Sequence, residues 1–173
     1  MPQRGGPLYK LGMPGFVIYE HAAFALGVAH RALDAVMDLA RTKGRGYGKH
    51  VPLVTRAVFQ RAVGEGGLRL RAARALIIEV MEKAWAAVCA GRQLEPRLQA
   101  ELRGATTWVN DVALEVTTNA FRYGAGSAVR LDSILQRCLR DLQVETSHLM
   151  VNDSAYENYG QFLLGLPEAD PMG

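Results

Sequence analysis

Between Pro52 and Gly91 the apolar residues Val58, Leu68, Ala72, Leu76, Val80 and Val88 fall at helical spacing. Pro52 suits the first turn of a helix and Gly91 its end, so the interval predicts one helix of about 40 residues, roughly 60 Å long at 1.5 Å per residue. That length exceeds what the core of one small domain covers along its axis. Gly64, Gly66 and Gly67 weaken its middle, so either the helix kinks there or another helix packs close enough to require small residues. Apolar residues outside the stripe, Val54, Phe59, Leu70 and Ile77, predict packing on another chain as well as on the same bundle. A homo-oligomer, dimer or tetramer, follows from that reading.

The rest of the chain reads as helix with almost no strand. Residues 1–13 form a Gly/Pro-rich connection, and Pro14 opens a first helix that runs to about Lys43, with Phe24, Val28, Ala35 and Leu39 on one face and Gly44 as its stop. Pro96 opens a third helix through Leu102, Val109, Val112, Val116 and Ala120, stopped at Gly124. A fourth starts at Ser133, where Ser133-Ile134-Leu135-Gln136 fits a capping box. Asp153 or Ser154 caps a short fifth helix ending near Gly165. The expected fold is therefore all-α, an up-and-down antiparallel four-helix bundle with a short C-terminal helix, occupying residues 14–166 and followed by a tail, residues 167–173.

Composition excludes several classes of function. The net charge of +3 arises from mixed signs with no basic run, which argues against a nucleic-acid surface. No apolar stretch is long enough to span a bilayer. Cys89 and Cys138 both lie in apolar helical patterns and read as small core residues, so a disulfide framework or zinc site is not expected and a reducing cytoplasm is the natural compartment. The Gly-rich loops Gly44-Arg-Gly-Tyr-Gly-Lys49 and Gly124-Ala-Gly-Ser127 each follow a predicted helix and not a strand, so neither has the context of a dinucleotide or P-loop motif.

The most informative stretch is LDSILQRCLRDLQVETSHLMVNDSAYENYGQFLLG. Leu135, Cys138, Leu139, Leu142 and Leu149 recur at helical spacing as the buried stripe, while Arg137, Asp141, Val144 and His148 share another, which places His148 at the edge of the core. On spacing alone His148 pairs with Glu145 one turn earlier or is a satisfied core histidine. Glu145-x-x-His148 is also half of a di-iron motif, but one copy supplies too few ligands, and no metal is expected. Ser147 lies beside His148 on a helix and points to another face, which sets aside serine hydrolase chemistry.

The LQRCLRD run, followed by a histidine seven residues after Asp141, resembles the C-terminal helical domain of the acyl-CoA dehydrogenase superfamily, and within it the branch of two-component flavin monooxygenases. The resemblance extends from about Gly15 to Gly165. It implies a flavoprotein oxidoreductase, a hydroxylase of a small aromatic or hydrophobic substrate, that uses FAD or reduced FMN delivered by a flavin reductase. His148 then becomes the catalytic residue beside the flavin ring, orienting or deprotonating substrate. Gly124, Gly126 and Ser127 occupy the turn that approaches the cofactor's phosphate side. Arg45 and Tyr47 are nearest to an arginine and an aromatic residue that reach the flavin of a neighbouring subunit, with the arginine one position off the dehydrogenase pattern.

The dehydrogenase branch requires a carboxylate eight residues after the Arg-Asp pair, where this chain has Leu149; Glu20 on the first helix is the nearest substitute. Full members also carry an N-terminal helical domain and a middle β-domain, neither of which lies in these residues. The chain alone is therefore expected to be inactive. The competing reading, from another class, is a non-catalytic helical assembly module.

Overall fold

The structure, a computed structural model, describes residues 5–44 and 51–172. A 3-10 turn, Pro7–Lys10, leads into the single turn α1 (Gly12–Gly15), then α2 (Ile18–Thr42), α3 (Ala57–Cys89), α4 (Pro96–Gly124), α5 (Ile134–Glu145) and α6 (Ser154–Leu164). Among the described residues the only strand-like feature is an isolated bridge between Gly44 and Pro52. This is the expected all-α bundle. Helix α4 is its spine, touching α2, α3, α5 and α6, with α3 and α5 on opposite flanks of the α2/α4 pair.

Helix α4 begins with Pro96 at its first turn and buries Leu102, Val109, Val112, Val116 and Ala120, as the periodicity indicates. Its termination is different from the expectation. Gly124 keeps ordinary helical angles, and the positive φ falls on Ala125. What Gly124 provides is space, since a Cβ there would lie 2.7 Å from both the Ala128 Cβ and the Leu135 Cδ1. Its role is thus the close approach of α5 to the end of α4.

Helix α3 is shorter than the sequence implies, because Pro52 precedes a 3-10 turn, Leu53–Thr55, and α3 starts at Ala57. The glycines do not break it. Gly66 faces inward, its Cβ position 3.4 Å from Val116 Cγ1 and 3.7 Å from Leu33 Cδ1, whereas Gly64 and Gly67 face open space. The inward row is Phe59, Gly66, Leu70, Ala73, Ile77, Val80 and Ala84, and Val58, Leu68 and Ala72 point outward. The sequence reading followed Leu68 because a glycine contributes no apolar side chain to a periodic pattern. Consequently Phe59, Leu70 and Ile77 serve this chain's own core, and the apolar residues left on the surface of α3 are Val58, Leu68, Ile78 and Trp85.

A similar offset occurs in α2, whose core row is Ile18, Ala22, Ala25, Ala29, Ala32 and Val36. Phe24 is exposed, and Val28, Ala35 and Leu39 only flank the core. Alanine lets α2 approach α4 closely, so the innermost row is the least conspicuous by hydrophobicity. Cys138 is buried but Cys89 is exposed at the end of α3, which corrects the reading of both as core residues. No helix among the described residues is long and apolar enough to cross a membrane.

Candidate functional site

Helix α5 places the Arg-Asp run and the residues that follow it. Ser133 stands at its N-cap as expected, yet its side chain makes no capping bond, so the capping box does not form. Leu135, Cys138 and Leu142 are buried. The helix then stops at Glu145, three residues before His148, and the chain continues in tight turns, with the His148 amide donating to the Glu145 carbonyl at 3.0 Å and the Val151 amide to the His148 carbonyl at 2.9 Å. This early stop removes Leu149 from the buried stripe: it is 76% exposed. His148 is likewise exposed, in a turn and not on a helix face.

Glu145 does not pair with His148. Its Oε1 lies 2.5 Å from Nδ1 of His21, in the first turns of α2, and both side chains are largely buried. The His148 ring instead packs on the His21 ring, with centroids 4.4 Å apart and planes inclined by 39°. Its Nδ1 accepts a hydrogen bond from the Met150 amide at 3.2 Å. His21 Nε2 is buried without a hydrogen-bond partner. Two imidazoles and a carboxylate thus meet where the start of α2 crosses the end of α5. Ser147 Oγ donates to the Gln143 carbonyl at 3.0 Å and takes no part. Glu20, in the first turn of α2, is exposed.

Below this cluster lies Arg103 of α4, 3% exposed. Its guanidinium donates to the Ser154 hydroxyl at 3.1 Å, to the Met172 carbonyl at 3.2 Å, and at 3.5 Å to the carbonyls of Leu149 and Pro171. Burial pushes it below the ordinary guanidinium value. It ties the turn after His148 to α6 and to the tail. Neither His21 nor Arg103 was singled out from the sequence, since each acts on residues far along the chain: 124 positions separate His21 from Glu145.

At the opposite end of α5, Gly124, Gly126 and Ser127 share one turn. Lys43 Nζ donates to the Gly124 carbonyl and, at 3.0 Å, to Ser127 Oγ. A Cβ on Gly126 would meet no atom within 4 Å, so that edge is open to a ligand. Beside it is a shallow cavity of about 270 Å³ bounded by Ala35, Leu39, Ser127, Arg130 and Ile134, smaller than typical enclosed ligand sites. Arg45 and Tyr47 lie outside the described residues. The structure does not bring His148 and the glycine turn together: α5 separates them by its 12 residues, roughly 18 Å at 1.5 Å each. No group of three or more metal-ligating side chains occurs among the described residues.

Comparison with known proteins gives consistent results. Residues 19–153 match the family described as acyl-CoA dehydrogenase, C-terminal domain. The chain is 31% identical over 165 residues to an indole-3-acetate monooxygenase of Pseudomonas putida, which covers 95% of this chain and 42% of that protein. It is 29% identical over 168 residues to a pigment production hydroxylase of a Rhodococcus species, covering 96% of this chain and again 42% of the relative. The chain therefore spans about two fifths of the length of these relatives. The fold is shared with XiaF from a Streptomyces species, solved in complex with FADH2 and glycerol, at a TM-score of 0.81 and 20% identity, over 98% of this chain and 44% of the other.

Proposed function

We propose, because the chain belongs to the acyl-CoA dehydrogenase C-terminal domain family, that it is the helical portion that completes the flavin site and builds the oligomer of a flavin-dependent monooxygenase acting on a small aromatic or hydrophobic substrate. The observation that carries this reading is the exposed His148 set against His21 and Glu145, in a chain that aligns along 95% of its length with a monooxygenase. The dehydrogenase alternative needs a carboxylate where Leu149 stands exposed to solvent.

A flavin, FAD or FMN, would supply the redox chemistry. The residues fit one edge of it. The open Gly126 turn with Lys43 and Ser127 suits the phosphate end, since backbone amides and an ammonium favour an anion, and His148 suits the reacting end about one α5 length away. Arg45 and Tyr47 would reach a neighbouring subunit's flavin. The relatives are more than twice as long as this chain, so the rest of the flavin pocket would come from the domains they carry in addition, and reduced flavin would come from a reductase. The exposed Leu68, Ile78 and Trp85 lie on the outward side of α3, the side available to another copy.

Product analysis tests the reading. The protein carrying this chain together with the two further domains would be given oxygen and reduced FMN or FADH2 with a panel of aromatic acids and phenols, and in parallel acyl-CoA thioesters with an electron acceptor. Hydroxylated aromatic product is expected. Enoyl-CoA without hydroxylation would overturn the assignment, as would sub-micromolar flavin binding by the chain alone for the claim that it only completes the site.

A further inference from the structure

The two histidines at the end of α5 differ in which ring nitrogen carries the proton. An ionised carboxylate only accepts hydrogen bonds, so His21 Nδ1, 2.5 Å from Glu145 Oε1, must be the protonated nitrogen of that ring. A backbone amide only donates. His148 Nδ1, which accepts from the Met150 amide at 3.2 Å, therefore holds the lone pair, and in the neutral ring the proton sits on Nε2. The two rings, in contact at a tilt, are opposite tautomers, each set by a partner on its Nδ1.

For a base the lone pair must face the substrate, which requires the other nitrogen to donate, as in the carboxylate-oriented histidine of a catalytic triad. His148 has the reverse arrangement. With Nδ1 engaged, the exposed ring presents an N–H. We propose that His148 acts as a hydrogen-bond donor through Nε2–H to a substrate oxygen, such as a phenolate or carboxylate, and that His21 is its positioning residue. Glu145 locks the His21 ring, and that ring forms the wall that holds His148 Nδ1 on the Met150 amide. Identity of the substrate oxygen rests on the monooxygenase reading; the tautomers and the ring contact rest on geometry alone.

The chain itself, labelled with ¹⁵N, provides the test without any assay of turnover, so failure of either reading is distinguishable from failure of the other. Long-range ¹H–¹⁵N correlation, at a pH above the ordinary histidine range, should show the proton on Nε2 in His148 and on Nδ1 in His21. In His21→Ala and Glu145→Ala the His148 ring is released, and exchange of the Met150 amide should accelerate at least tenfold. Glu145→Gln keeps an acceptor for His21 Nδ1–H and should retain protection. The Val151 amide, bonded to the backbone carbonyl of His148, is the internal control. It should remain protected where only the ring is freed. If His21→Ala fails to fold, Glu145→Ala reads the same step. A proton on Nδ1 of His148, Met150 exchange unchanged in both alanine variants, or parallel loss at Met150 and Val151 would overturn the proposal.

Discussion

Helix α4 and the turn after α5 lie against each other through Arg103, yet they are built on opposite principles. Helix α4 is a spine whose apolar row packs on four other helices, and every residue of that row follows from a 3.6-residue period. The turn after α5 has no period. Met150 and Val151 anchor it in the core, Arg103 on the Leu149 carbonyl and the His21 ring against His148 reach it from distant elements, and the Met150 amide on His148 Nδ1 closes it locally. Stability resides in the first region and the candidate chemistry in the second. The exposed surface of the turn exists because α5 stops at Glu145 instead of continuing to Leu149.

The sharpest contrast is between two leucines one heptad apart. Leu142 is fully buried on α5 and Leu149 is 76% exposed in the turn. Leu142→Ala is expected to destabilise the chain by about 2–5 kcal/mol through lost burial and a residual cavity, whereas Leu149→Ala should fall within about 0.5 kcal/mol. Equal effects in chemical denaturation would mean that α5 continues into the turn. The paired glycines at the other end of α5 give a smaller contrast. Gly124→Ala forces a Cβ to 2.7 Å from Ala128 and Leu135 and should cost about 1–3 kcal/mol, while Gly126→Ala meets no atom within 4 Å and should leave stability nearly unchanged. Thermal unfolding of the two variants side by side measures the difference.

The smallest effect belongs to the surface of α4. Arg69 of α3 makes a bidentate pair with Glu115, and the guanidinium holds the Glu115 carboxyl below its ordinary value. Both side chains are substantially exposed, so solvent screening limits Glu115→Gln to about 0.2–1 kcal/mol. Because the folded value is depressed, the contribution is present at neutral pH and fades as pH falls through the folded value. Wild type and variant should therefore converge in stability under acid, and a gap that persists there would locate the effect elsewhere.

These contrasts also show what the sequence could convey. The helices and the α4 row were readable because large side chains mark a period and Pro96 and Gly165 punctuate it. The inner rows of α2 and α3 were displaced because Ala22, Ala25, Ala29 and Gly66 carry little hydrophobic signal although they permit the closest packing. His148 was legible only through family resemblance. Its actual neighbours were not, since the His21 to Glu145 contact is purely tertiary and the capping box at Ser133, though well formed as a motif, is not used. Arg45 and Tyr47 fall outside the described residues.

Turnover of the His148→Ala variant, measured beside its thermal unfolding, tests most directly the claim that packing and chemistry occupy separate regions. The protein would carry the two further domains, and reduced flavin would be supplied chemically to bypass the reductase. Loss of one donor to a developing or resident negative charge should reduce hydroxylation by about 10²–10³-fold, while stability should change by only about 1 kcal/mol, because the His148 side chain is exposed and its loss removes one hydrogen bond, from the Met150 amide, and the packing on the His21 ring. Unchanged turnover accompanied by a clear loss of stability would contradict the account and return His148 to a structural role in closing the turn.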